Sequence, residues 1–164
     1  MNGTVSTAMR QSGMNYKLNY GLDAVNIREI ASRYQPNEIL ADKLWKENSR
    51  ECKILGTLLQ PKTSFNREKA NTWQADCFLP ELTEQLCFNL LQHLEFAPEL
   101  ATDWVNNPSE SMREAGYTLA LRLLLKKTSI ADIEEIKRHA TTDFNSENYR
   151  LKLTASRFLE RANF

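Results

Sequence analysis

Apolar residues recur at intervals of three and four along nearly the whole 164-residue chain, and sustained alternation at two is almost absent. That period commits the chain to amphipathic helices. Five glycines and five prolines are too few turn formers for a sandwich or barrel of many short strands. Ile27, Ile30, Ala31 and Tyr34 share one face over 24–34. Pro36 sits at a first turn and opens a second helix to Glu47, with Ile39, Leu40, Leu44 and Trp45 inward. Asn48 or Ser49 caps a third, whose stripe is Cys52, Leu55, Leu58 and Leu59. Further stripes run through Ala70, Trp73 and Cys77, then from Pro80 through Leu82, Leu86, Leu90 and Leu94. Others run from Pro98 to Val105, from Ser109 through Ala115, Leu119, Leu123 and Leu124, and around 129–140 and 146–162. The expectation is an all-α chain of eight or nine helices joined by short loops.

The helices repeat. RECKILGTLL at 50–59 lies against REAGYTLALR at 113–122, with Arg50 on Arg113, Glu51 on Glu114, Ile54 on Tyr117 and Leu58 on Leu121. Each segment follows a helix with a similar element, LADKLW at 40–45 and LATDW at 100–104. The tryptophans Trp45, Trp73 and Trp104 recur at nearly even intervals, each on the first helix of a pair. Helix pairs at a spacing near 30 are the mark of an α-solenoid of stacked antiparallel, HEAT-like pairs. The domain expected over 20–164 follows an N-terminal polar arm, 1–19, taken as flexible.

Composition narrows the chemistry. Lys plus Arg and Asp plus Glu each number 21, so no global field announces a polyanionic partner. Beneath that balance, 48–62 and 108–127 are each net positive by two, as is 1–19, whereas 63–107 holds two basic residues against seven acidic ones. Cys52, Cys77 and Cys87 form no CxxC pair, and His93 and His139 are the only histidines, which points away from metal sites and disulfides. No apolar run reaches membrane-spanning length, and residues 1–19 lack the apolar stretch of a signal peptide, so a cytoplasmic chain is expected. GxSxG, Walker, GxGxxG and HExxH motifs are absent. No cofactor is expected.

Three candidate sites remain. Arg50 and Arg113 sit at the first turns of second helices, where exposed N–H groups favour anions. Each is either a phosphate contact or the partner of a carboxylate in the next repeat. The tryptophans fall on apolar stripes and read as core, Trp45 above all; Trp73 has polar neighbours, Asn71, Thr72, Gln74 and Asp76. Asp76, at helical spacing from Trp73, is the carboxylate able to face a developing cation.

The strings YGLDAVNIREIA (20–31) and LADKLWKENSRECKILGTLL (40–59) resemble the DNA alkylation repair, AlkD-like family of HEAT-like repeats. Tyr20, Gly21, Ile27, Arg28, Leu44, Trp45 and Glu51 carry the likeness, continued by Trp73, Trp104 and Arg113 over roughly 16–127. The resemblance implies a DNA-binding concave face. In active members it also implies an N-glycosylase that excises alkylated purines without metal or cofactor. It makes Trp73 an aromatic of the site and Arg113 a DNA contact. The family's aspartate belongs four residues after that tryptophan, where this chain has Cys77, one position beyond Asp76. The function expected is nucleic-acid binding to duplex or branched DNA; the alternative is an adaptor whose groove takes a protein partner.

Overall fold

The computed structural model describes residues 20–77 and 79–164. The arm expected over 1–19 lies outside the described residues. Among those described there are nine α-helices and no β-strand. In chain order they are α1 (Ala24–Ser32), α2 (Glu38–Lys46), α3 (Arg50–Leu59), α4 (Arg67–Ala75), α5 (Pro80–Asn89), α6 (Ala97–Val105), α7 (Glu110–Leu125), α8 (Ile133–Asp143) and α9 (Tyr149–Ala162). Short 3₁₀ turns occupy Lys62–Ser64 and Leu91–His93. None of these helices is long and apolar enough to cross a membrane.

The caps explain several boundaries. Asp23, Asn37, Ser49 and Asn148 each turn a side-chain oxygen onto a backbone N–H of the first turn that follows. Pro80 stands at the first position of α5 and needs no N–H there. Two stripes end earlier than their period suggests. α4 stops at Ala75, before Cys77, and α5 at Asn89, after which Leu91–His93 takes the chain on as a 3₁₀ turn carrying the buried Leu91. The helix read at 129–140 begins only at Ile133 and runs to Asp143.

The helices form two compact units interleaved in sequence. The first contains the described residues up to Asn66 together with Cys77–Leu90; the second contains Arg67–Asp76 and Leu91–Phe164. In the first, α2 and α3 form one pair, and α3 also packs against α1 and α5. Ile27, Ala41, Trp45, Ile54, Leu82 and Leu86 are buried there. In the second, α6 pairs with α7 and α8 with α9, while α7 packs on α9 and α6 on α8. α4 lies alongside, with Asn71 Oδ1 accepting the Trp104 indole N–H at 2.7 Å. The result in this unit is a row α4–α6–α8 and a row α7–α9.

Two glycines set how closely the paired helices approach. An added Cβ on Gly56 of α3 would stand 3.2 Å from Ala41 O, and one on Gly116 of α7 would stand 2.8 Å from Val105 N and 3.1 Å from Ala101 O. Ala41 and Ala101 stand at the same offset in numbering, 60, as Gly56 and Gly116. The structural repeat, two helix pairs long, therefore has an offset of 60, whereas the arginines that draw the eye give 63.

Candidate nucleic-acid interface

Arg50 opens α3 and is 3% exposed. Its Nε donates to both oxygens of Glu81 at 2.9 Å, and Nη2 donates to Glu81 Oε1 at 2.6 Å. Nη1 donates to the Leu22 carbonyl at 2.6 Å. Glu51 accepts the Leu22 N–H at 3.3 Å, so the two neighbouring side chains of α3 hold both polar groups of one peptide residue. Gly21, just before it, is buried with φ 69°, in the left-handed region that glycine adopts without strain. The Tyr-Gly element, Arg50 and Glu51 thus form one clamp inside the first unit. Lys53 is buried too, donating to Trp45 O at 2.5 Å over the indole ring. The positive block at 48–62 is therefore largely interior.

Arg113 repeats the device in the second unit. Its Nε meets Asp143 Oδ2 at 2.9 Å and its Nη2 meets Oδ1 at 3.2 Å; Nη1 donates to the Asn107 and Pro108 carbonyls. Tyr117, fully buried, donates its hydroxyl to Asp143 Oδ2 at 2.6 Å. The hydrogen bond to Asp143 holds the Arg113 guanidinium above its ordinary pKa. Burial first, and then the bond to Asp143, raise the Tyr117 phenol. Glu81 lies 31 positions beyond Arg50, near the start of α5, and Asp143 lies 30 beyond Arg113, at the end of α8. The geometry meets the pairing reading of both arginines. Their guanidinium donors are turned onto part-buried carboxylates and backbone carbonyls.

Trp73 is 3% exposed on α4, with Lys69 over its ring at 5.4 Å. Asp76 lies exposed just past the helix, its N–H bonded to Thr72 O and Trp73 O. The aromatic is core and the carboxylate stands at the surface. Among the described residues no group of three His, Cys, Asp or Glu is placed to hold a metal ion.

The exposed positive charge is elsewhere. Leaving aside the Arg113–Asp143 pair, residues 110–127 and α9 together carry seven Lys or Arg against three Glu, whereas α4, α6 and α8 carry four against five acids. Arg150, Arg157 and Arg161 fall within about 40° of one another around α9. Arg150 pairs with Glu114 at 3.1 Å, and Arg150, Arg157 and Arg161 are all exposed. Burial raises the pKa of Glu114, and Arg150 pulls it back. The row is held at its start by Asn148, which donates to Glu110 Oε2 at 2.7 Å.

α7 ends in a Schellman turn. Lys127 N–H reaches Leu124 O at 3.0 Å and Thr128 N–H reaches Leu123 O at 2.9 Å. The left-handed position belongs to Lys127, φ 60°, where glycine is the usual occupant. Lys126, beside it, donates to Gln92 O at 3.2 Å and stands 3.1 Å from His93 Nδ1. In the sequence the conspicuous arginine is Arg113 at the first turn of α7, and the cations of α9 are less evident. The i, i+7, i+11 spacing of Arg150, Arg157 and Arg161 was the available signal.

The sequence model of the family described as DNA alkylation repair enzyme matches residues 4–160. The chain belongs to the DNA alkylation repair enzyme family. A solved structure of "a new family of proteins related to the HEAT-like repeat DNA glycosylases with affinity for branched DNA structures" superposes with TM-score 0.83. The match covers 95% of this chain and 68% of that one at 16% identity. This DNA alkylation repair family member thus has the HEAT-like repeat fold. No curated protein matches it in sequence.

Proposed function

We propose that this member of the DNA alkylation repair family binds DNA, duplex or branched, by its phosphate backbone along the α7–α9 row. The observation that carries the reading is the separation of charge in the second unit, with cations concentrated on that row and acids on α4, α6 and α8. Phosphate contacts need exposed Lys and Arg and supply affinity without sequence preference. Arg157, Arg161, Lys126 and Lys127 are exposed there. The lysine at the left-handed end of α7 adds support, since glycine would be easier in that conformation. The described affinity of the structural relative for branched DNA points the same way. An adaptor for a peptide or partner helix has no comparable observation in its favour.

Base excision is not part of this proposal. Cleaving an alkylpurine glycosidic bond builds positive charge that a carboxylate must face in a preorganised, water-poor site. Asp76 is exposed and Trp73 is buried among core residues. Release of 3-methyladenine or 7-methylguanine from alkylated DNA is expected at background level in the wild type and in Asp76→Asn alike. Binding is tested by fluorescence anisotropy with duplex and forked DNA near 0.1 M salt. The pair Arg157→Glu and Arg161→Glu should weaken both at least tenfold, and Arg138→Glu, on the acidic row, should leave both nearly unchanged. Equal effects of the two changes would contradict the assignment to α7–α9.

A further inference from the structure

Phe88, on α5 in the first unit, is 38% exposed. It is not bare. The Arg28 guanidinium of α1 lies over its ring, 5.1 Å from the centroid. Arg28 Nη2 donates to Asn89 Oδ1 at 3.4 Å, and Asn89 Nδ2 donates in turn to Thr57 Oγ1 at 3.0 Å and Gln85 Oε1 at 3.1 Å. Thr57 is 1% exposed on α3 and donates its own hydroxyl to Ile54 O at 2.6 Å. A hydrogen-bonded chain anchored in the core of α3 thus fixes where the guanidinium sits. An ordinary surface arginine has no such anchor. Arg28 is also a residue of the Ile-Arg element that the sequence singles out, and phosphate contacts on α7–α9 leave it unused.

The geometry points to Arg28 and Phe88 as a stacking step for one unpaired nucleobase of single-stranded or branched DNA. Every base has a π-face, and aromatic rings and guanidinium planes both stack on it. A paired base offers no open face to such a step; an unpaired base at a fork or gap does. The inference rests on the DNA-binding reading and deepens it: phosphate contacts supply affinity for any DNA, and this step supplies preference for unpaired bases.

The test compares a duplex with a fork of equal length carrying 2-aminopurine at the unpaired position next to the junction. Wild type should bind the fork more tightly and quench its fluorescence. Phe88→Ala and Arg28→Gln should each cost the fork about 5- to 50-fold in affinity and abolish the quenching. Both should change duplex affinity less than twofold, and Phe88→Trp should keep the fork preference. Circular dichroism melts of each variant check that it is folded. If wild type binds both DNAs but Phe88→Ala keeps the fork preference and the quenching, the stacking step is wrong and the backbone reading stands. If wild type binds neither, both fail together.

Discussion

Asp143 accepts from Arg113 and from the buried Tyr117 hydroxyl, and this small network joins α7 to α8. Burial and the bond to Asp143 raise the Tyr117 phenol above its unfolded value near 10. The neutral phenol is therefore the form the fold favours. Its contribution is fully present below about pH 10, and it falls away as the unfolded chain begins to ionise while the folded chain does not. Tyr117→Phe should cost about 1.5–3 kcal/mol near neutral pH, since the lost bond is to a carboxylate. Above about pH 10 the wild type should lose stability relative to the variant by up to about 1.4 kcal/mol per pH unit. Urea unfolding of both proteins from pH 7 to 11 measures this. A constant difference across that range would contradict the assigned cause. The arginines were ambiguous in the sequence because their carboxylates, Glu81 and Asp143, lie 31 and 30 positions downstream, beyond the reach of local patterns. Trp45 and Trp104 were plain because each falls within an apolar stripe, and both are buried.

At the scale of elements, the helices were legible because their period and caps are local, although Ile39 and Leu40, expected inward on α2, are exposed. The register of the repeat was not. Identity of side chains favours an offset of 63, but close approach of backbones fixes it at 60 through Gly56 and Gly116. The first matches what residues look like, and the second matches what must touch. Gly116→Ala should destabilise by about 1–3 kcal/mol, because its Cβ would meet Val105 backbone and side chain closer than 3 Å. The helix propensity gained, about 1 kcal/mol, offsets only part of that cost. Gly56→Ala, with 3.2 Å to Ala41 O, should cost much less. Thermal melts of the two variants read the difference, and equal shifts would contradict the register. Lys127→Gly should act in the other direction, raising stability by about 1 kcal/mol by relieving a left-handed lysine, while weakening DNA binding. Loss of both stability and binding would mean that Lys127 packs rather than contacts phosphate.

Across the whole molecule, the chain passes between its two units three times, so a cut after Asn66 would leave Arg50 without Glu81. Sequence order alone does not show that interleaving, because α4 and α5 read as one ordinary pair. Nor does net charge show the interface. Equal totals of 21 conceal a basic row and an acidic one, and only the packing of α7 on α9 brings the cations together. The central claim is that this row meets phosphates, and salt dependence measures it most directly. The logarithm of duplex affinity should fall linearly with the logarithm of salt concentration. In a variant with Lys126, Lys127, Arg157 and Arg161 each changed to Gln, the slope should flatten by about three to four. A wild-type affinity insensitive to salt, or a slope unchanged in that variant, would contradict the account.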